Sequence, residues 1–233
     1  MTALLAADSI DCRLGGRQIL RAAYVDAVPG KITALVGRSG AGKTTLFDIV
    51  VGRRRPGAGQ IRWNGQPVPK PSLAELASRG LFYHPDRPWM AMRLSCADHF
   101  ALLGSGRQWR RIAADLGVVE WLDRSVSTLS GGELRLTELA FGLALAPKAA
   151  LLDEPFRGLE PLHREQVAVV LRSLADGGAA VLYADHDVEA VRKTADRLFS
   201  MEAGVTRLVE GFRDRPLREW YDEWPSYGRE SWT

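Results

Sequence analysis

Residues 32–51 decide the fold, and they read ITALVGRSGAGKTTLFDIVV. The segment begins with a short apolar run, Ile32–Val36, that favours a strand, and it ends with a helical pattern over Thr44–Val51. Between the two stands a glycine-rich turn that fits the pattern GxxxxGK followed by Ser or Thr. This turn consists of Gly37, Arg38, Ser39, Gly40, Ala41, Gly42, Lys43, Thr44 and Thr45. A strand, such a turn and a helix in this order predict a loop that binds phosphate groups.

The chemistry of this loop follows from its residue types. Glycines allow backbone N–H groups to turn inward around an anion, and the start of the following helix adds a favourable dipole. The Lys43 ammonium would reach the β- and γ-phosphates of a nucleotide, and the Thr44 hydroxyl would ligate Mg²⁺. A chance glycine turn is the alternative interpretation. Alone, the loop indicates a nucleotide-binding protein and nothing narrower.

A second motif lies at residues 149–155, which read AALLDEP. A buried apolar strand that ends on two adjacent carboxylates is costly unless a cation or a reaction uses them. Strand alternation predicts that the two side chains lie on opposite sides of the strand axis. Asp153 would then serve a magnesium ion, and Glu154 would face an attacking water molecule. A plain acidic strand end is the alternative.

The rest of the chain alternates strand-like and helix-like segments, which favours an α/β domain with a mostly parallel sheet. Leu81–His84 and Ala179–Ala184 are apolar runs of strand length, and Pro161–Asp176 has the pattern of an amphipathic helix. Residues 86–147 contain no convincing strand and are predicted to form an inserted helical subdomain. We expect a single domain over residues 1–211 and an aromatic-rich tail over 212–233. Tail packing against the domain is favoured over partner binding.

Composition excludes several classes of protein. Of the 233 residues, 46% are hydrophobic and 25% are charged, which is typical of a globular protein rather than a disordered one. The net charge of +3 is small, and the basic run Arg53–Arg55 is interpreted as a solvated helix end rather than a nucleic-acid or lipid-headgroup patch. Cys12 and Cys96 lie far apart, as in a reduced cytosolic protein. No run approaches the roughly 18 apolar residues of a membrane span.

The third motif is the segment that identifies a family. Residues 129–133 read LSGGE and precede a helical pattern, with Ser130 placed as an N-cap and Gly131 and Gly132 free to present N–H groups to an anion. Further along, His186 follows a strand within residues 183–187, YADHD. The chain here resembles the ABC ATPase family, whose signature is LSGGQ or LSGGE. The family also has the same order of phosphate loop, signature, acidic strand end and histidine.

This resemblance implies a P-loop NTPase, RecA-like core with an N-terminal antiparallel β portion. It further implies a head-to-tail dimer, homo- or heterodimeric, that closes on two ATP molecules with Mg²⁺. Each ATP would lie between the phosphate loop of one subunit and Ser130, Gly131, Gly132 and Glu133 of the other. Glu154 would polarise the water, and His186 and Lys43 would contact the phosphates. The partner would be a transmembrane permease on a separate chain, with this subunit peripheral on the cytoplasmic membrane face.

Three positions depart from the family pattern. Leu14 stands where the family usually stacks an aromatic residue on adenine. The loop after the acidic strand normally reads SGLDP but here reads RGLEP over residues 157–161, with Glu160 for Asp. Asp86 stands where a glutamine belongs, and no glutamine occurs between Gln66 and Gln108. We expect Asp86 to ligate Mg²⁺, with a contact to Arg87 or Arg93 as the alternative.

Three functions are compatible with these residues. The leading hypothesis is the ATPase subunit of a membrane transporter, most similar to the lipopolysaccharide-export and branched-chain amino-acid branches. A soluble ABC protein acting on nucleic acid or ribosomes is the second, although such relatives generally carry two cassettes or a long insertion. A regulatory or weakly hydrolysing subunit is the third.

Overall fold

The computed structural model of the chain describes residues 2–104 and 107–214. Their strands and helices, in chain order, are β1 (Leu5–Leu14), β2 (Arg17–Ala27), β3 (Ile32–Val36), α1 (Lys43–Val50), β4 (Ala58–Trp63), β5 (Gln66–Val68), α2 (Leu73–Ser78), β6 (Leu81–His84), α3 (Cys96–Ala101), α4 (Arg107–Asp115), α5 (Gly131–Leu143), β7 (Ala149–Asp153), α6 (Pro161–Asp176), β8 (Ala180–Asp185), α7 (Val188–Thr194), β9 (Arg197–Glu202) and β10 (Val205–Leu208). Two short 3-10 helices, Val118–Trp121 and Val126–Thr128, precede α5.

The larger sheet has six strands in the order β10-β9-β3-β8-β7-β6. All neighbours in it are parallel except β10, which is antiparallel to β9. Every residue of β3, β6, β7 and β8 is buried, as expected for parallel strands covered on both faces. The predicted α/β class with a mostly parallel sheet is confirmed.

A second sheet of four strands, in the order β2-β1-β4-β5, is antiparallel throughout. It packs over α1, and side chains such as Ile10 and Leu20 share one apolar core with Leu46, Phe47 and Ile49 of that helix. The antiparallel β portion predicted for the N-terminal part is thereby confirmed.

Helices fill the chain between β6 and β7. In the described part of residues 86–147 the structure has α3, α4, the two 3-10 helices and α5, and no strand beyond an isolated bridge between Ser95 and Ser125. Helix α5 packs closely on the parallel sheet at Gly142, where an added Cβ would lie 1.9 Å from the Phe82 ring. The helical character agrees with the prediction, while the subdomain and domain boundaries stay predictions.

The C-terminal part of the described chain is anchored to the core. Phe212 is buried in the same apolar cluster as β3 and β8, and the Arg213 guanidinium donates to the Ala195 carbonyl at 2.9 Å. The predicted aromatic tail lies outside the described residues from position 215 onward. Among the helices that the structure describes, none has the length and apolar composition to cross a bilayer.

Candidate nucleotide site

Strand register brings the predicted site residues to one edge of the parallel sheet. Val36 pairs with Asp185, and Asp153 pairs with Ala184, so that β3, β8 and β7 end side by side. The glycine-rich loop follows β3, the acidic pair ends β7, and His186 follows β8. Three motifs far apart in sequence therefore meet where ligands bind in open α/β sheets.

The glycine-rich loop leads directly into α1, as predicted, with the helix starting at Lys43. Gly42 caps this helix at φ 114°, and a Cβ there would lie 2.8 Å from Leu20 Cδ2. Only glycine fits both the backbone conformation and the space. The turn is thus fixed by its own sequence and by the antiparallel sheet packed behind it.

Lys43 is buried at 5% exposure and reaches back over the loop. Its Nζ donates to the Gly37 carbonyl and, at 3.2 Å, to the Arg38 carbonyl. Burial lowers the pKa of Lys43, while the negative charges of Glu154 and Asp153 partly offset this effect. A buried ammonium satisfied by loop carbonyls can exchange them for phosphate oxygens, which are stronger acceptors.

Asp153 is a deeply buried carboxylate of the site whose oxygens lack hydrogen bonds to the described residues. It is 1% exposed, and neither carboxylate oxygen has a hydrogen-bond partner within the described part of the chain. Burial raises its pKa to about 6, the nearby Thr44 hydroxyl lowers it in part, and Asp86 and Glu154 raise it further. An orphaned carboxylate beside a hydroxyl fits a hard divalent cation.

No group of three or more His, Cys, Asp or Glu residues in the described ranges could hold a metal by itself. A magnesium ion at this edge would consequently depend on one carboxylate, one hydroxyl and oxygens from phosphate or water, which is how Mg²⁺ is usually bound.

Strand alternation does not apply to Asp153 and Glu154, because β7 ends at Asp153, and the prediction that the two side chains lie on opposite sides stays a prediction. Glu154 has φ 51° in the left-handed region, and its N–H donates to the Ala184 carbonyl at 2.9 Å. This conformation costs a non-glycine residue about 1–2 kcal/mol. Glu154 therefore lies in a turn held by β8 and not in the strand itself.

Glu154 faces His186 across the end of the sheet. Its Oε1 lies 3.6 Å from His186 Nδ1, and the imidazole is 59% exposed. Asp185, which received no role from the sequence, is buried and accepts hydrogen bonds from the backbone N–H groups of His186 and Asp187 at 2.7 and 3.0 Å. Burial raises the pKa of Asp185, and these two bonds oppose that rise. Asp185 thereby fixes the turn that presents His186.

The signature segment begins α5 with a reciprocal cap. The Ser130 hydroxyl accepts from the Glu133 N–H at 3.2 Å, and the Glu133 carboxylate accepts from the Ser130 N–H at 2.7 Å. The predicted N-cap at Ser130 is confirmed. Because its carboxylate is used by the cap and by Arg124 at 2.8 Å, Glu133 stabilises this helix start, and its predicted nucleotide contact stays a prediction.

The signature segment does not join the phosphate loop within one chain. Ser130–Glu133 line a surface pocket of about 800 Å³ together with Arg157, Gly158 and Glu160, and none of residues 37–45 lines it. That the signature segment meets the phosphate loop of another subunit stays a prediction.

Asp86 lies between arginines that the sequence did not point to. Its Oδ1 is 2.8 Å from Arg157 Nη1 and 3.5 Å from Arg135 Nη2. The neighbour predicted from sequence was Arg87 or Arg93, so this alternative named the wrong arginines. The magnesium role of Asp86 stays a prediction.

Sequence reasoning also missed the contribution of α5 to the site. Arg135 donates to the Glu154 carbonyl and, at 2.9 Å, to the Asp86 carbonyl. One turn further, the buried Glu138 carboxylate accepts from the Trp89 N–H at 2.7 Å and from the Met90 N–H at 3.2 Å. Helix α5 therefore holds both loops that border the site. Because these hydrogen bonds go to backbone atoms of loops distant in sequence, no residue pattern marks the two side chains.

Comparison with known proteins decides the family. A profile of the ABC transporter family matches residues 20–157, more than half of the 233-residue chain. The chain belongs to the ABC transporter family.

Curated relatives of this ABC protein are ATP-binding subunits of several transport systems. The lipopolysaccharide export system ATP-binding protein LptB of Acidithiobacillus ferridurans is 33% identical over 213 residues, 88% of each chain. The zinc import ATP-binding protein ZnuC of Halorhodospira halophila is 33% identical over 206 residues, 86% of this chain and 75% of the relative. The predicted similarity to lipopolysaccharide-export proteins is confirmed.

Solved structures agree on the fold. The ATP-binding subunit of an ABC transporter superposes with a TM-score of 0.81 at 22% identity, covering 96% of this chain and all of the other. A nucleotide-free ATP-binding cassette gives a TM-score of 0.79 at 20% identity, covering 94% and 96% of the two chains.

Family membership fixes the general activity. This ABC protein is an ATP-binding, ATP-hydrolysing subunit that powers a transporter, with Mg²⁺ in hydrolysis. It acts with transmembrane permease subunits, and ABC cassettes dimerise.

Proposed function

We propose that Glu154 is the general base of ATP hydrolysis, supported by one observation: its carboxylate lies 3.6 Å from the exposed His186, beside the buried Lys43 and Asp153. The carboxylate accepts the proton of the water that attacks the γ-phosphorus, and the bond to the bridging oxygen breaks to release ADP. His186 would contact the γ-phosphate.

The remaining residues bind and orient the nucleotide. Lys43 exchanges the Gly37 and Arg38 carbonyls for phosphate oxygens, and the loop N–H groups of residues 37–45 surround the anion. Asp153 and Thr44 would hold the magnesium ion, which supplies charge neutralisation at the β- and γ-oxygens when bound. Glu154 has a left-handed backbone conformation, and its N–H donates to the Ala184 carbonyl at the end of β8.

The dimer completes the site in this proposal. Ser130, Gly131 and Gly132 lie at the start of α5, on a pocket that lacks the chain's own phosphate loop. They contact the γ-phosphate of ATP held by the partner subunit. Closure therefore requires both nucleotides, and opening follows hydrolysis.

The proposal includes the location of the subunit but no single transported substrate. We place the subunit at the cytoplasmic face of a membrane, bound to a permease on a separate chain. Matches to lipopolysaccharide-export and zinc-import subunits at equal identity favour no one substrate. The nucleic-acid hypothesis receives no support from the relatives named above.

The decisive experiment replaces the carboxylate with its amide. Glu154→Gln should still bind Mg·ATP and lose turnover on the order of 10²-fold or more, because the amide cannot accept the water proton. Glu165→Gln, the same change at an exposed position of α6, is the matched control. Undiminished hydrolysis by Glu154→Gln would remove Glu154 from the mechanism. A weakly hydrolysing subunit would instead show wild-type rates already close to those of Glu154→Gln.

A further inference from the structure

Arg157 lies between two carboxylates of the site. Its Nη1 is 2.8 Å from Asp86 Oδ1 and 3.4 Å from Glu154 Oε2, so one guanidinium nitrogen is shared by both. The shorter contact goes to Asp86. The Arg157 side chain is 58% exposed, and those of Asp86 and Glu154 are 33% and 19% exposed.

The fold explains why these residues meet although 71 positions separate Asp86 from Arg157. Strands β6 and β7 are parallel neighbours, with His84 opposite Leu152, so the loops that follow them begin side by side. Both positions are departures from the family pattern, with Asp86 for glutamine and Arg157 for the serine of SGLDP. The negative charge of one loop is thus paired with the positive charge of the other.

The number of carboxylates near the phosphate site explains why the positive charge of Arg157 matters for ATP binding. Asp86, Asp153 and Glu154 would place three carboxylates at the edge that receives the nucleotide phosphates. One uncompensated unit charge about 5 Å from a phosphate, at an effective dielectric of about 20, weakens ATP binding on the order of 10²-fold before screening. Because Asp86 is one-third exposed, solvent screening reduces this to roughly tenfold.

We propose that Arg157 is a positioning residue that acts together with Asp86. Arg157 neutralises the Asp86 charge, which would otherwise repel ATP. Asp86 in turn holds Arg157, which would otherwise form an ion pair with Glu154. The second half follows from geometry, since Glu154 is the other carboxylate within 3.4 Å of Arg157 Nη1. With Asp86 neutral, the guanidinium closes on Glu154 and occupies the oxygen that should face water. This inference rests on the proposed role of Glu154.

The two single variants therefore fail in different ways. Arg157→Ser removes the shorter ion pair of Asp86 and leaves only its 3.5 Å contact with Arg135 Nη2, so ATP affinity falls by up to roughly tenfold. Asp86→Gln leaves ATP affinity at or above the wild-type value and lowers kcat several-fold. The double variant, which removes both charges, should return the Kd and kcat to within about twofold of wild type, as coupled sites do. A merely structural role would give no such split.

The test is a double-mutant cycle on the full 233-residue chain. ATP affinity is measured by equilibrium titration with a fluorescent ATP analogue in EDTA, which excludes magnesium, and kcat is measured separately at saturating Mg·ATP. Arg157→Lys keeps the charge and should retain wild-type affinity. Arg111→Ser, at an exposed ion pair with Asp115 on α4, controls for net charge.

The results of the double-mutant cycle distinguish the proposed Asp86–Arg157 pair from the proposed general-base role of Glu154. Recovery in the double variant supports the pair, and a double variant carrying the product of both single defects overturns it. Equal ATP affinity of Arg157→Ser and wild type in EDTA also overturns it. If Glu154→Gln hydrolyses normally, the general-base proposal fails, whereas the EDTA titrations still decide whether Asp86 and Arg157 act together.

Discussion

Replacing Asp153 with asparagine should change how the stability of the apoprotein depends on pH. The unfolded carboxyl loses its proton near 3.8, whereas burial raises the folded pKa to about 6. Between these values the folded state binds more protons than the unfolded state. The contribution of Asp153 to stability is therefore fully present below the unfolded pKa and is lost as pH rises through about 6.

The size of this effect follows from the shift. A rise of about two pKa units corresponds to about 3 kcal/mol, and Asp153 is 1% exposed, so solvent screening does not reduce it. The amide of the Asp153→Asn variant carries no charge at any pH, and the penalty of burying it is constant with pH. The stability of Asp153→Asn relative to wild type should consequently improve by about 2–3 kcal/mol from about pH 4 to about pH 8.

Urea unfolding in EDTA without nucleotide, repeated across this pH range, measures the difference directly. Asp115→Asn, at an exposed position of α4, is the matched control and should follow the wild-type profile. Parallel profiles for Asp153→Asn and wild type would refute the reasoning, because they would mean that Asp153 ionises equally easily in both states.

Two further predictions concern packing and assembly. Gly142→Ala places a Cβ 1.9 Å from the Phe82 ring and should lower the free energy of unfolding by about 1–3 kcal/mol or more, whereas Gly57→Ala, with its nearest neighbour at 3.5 Å, should cost far less. Equal urea midpoints for the two variants would contradict the close approach of α5 to β6. Ser130→Arg, introduced with Glu154→Gln, should leave ATP binding to the monomer unchanged and abolish ATP-dependent dimerisation in light scattering, and a persisting dimer would argue against the shared site.

Local patterns were sufficient for the buried parallel strands β3, β6, β7 and β8 and for α6. Ile32–Val36 is a strand over the predicted residues, and Pro161–Asp176 is a helix with the predicted limits, because burial on both faces and a clear stop signal dominate locally. The turn at Glu154 could not be predicted in the same way. Its left-handed backbone goes with a hydrogen bond to the Ala184 carbonyl of the neighbouring strand β8. A prediction from strand alternation takes no account of such a contact between strands.

The side chains that the sequence did not predict, Arg135 and Glu138, were missed for a different reason. The hydrogen bonds of Arg135 and Glu138 to distant loops go to backbone atoms, which carry no sequence signal, and their side-chain contacts with Asp86 and His84 depend on tertiary packing. Arg157 was visible as a departure from SGLDP, but its partner Asp86 lies on another strand end. Only the parallel pairing of β6 and β7 brings the two charges within contact distance.

The hydrogen bonds from Arg135 of α5 to the Glu154 and Asp86 carbonyls bear on how hydrolysis at two nucleotide sites is coordinated. In the sandwich dimer proposed above, the start of α5 contacts the ATP held by the partner, and Arg135, one turn along, holds the peptide of Glu154. We therefore expect the occupancy of one nucleotide site to influence the position of Glu154 in the other.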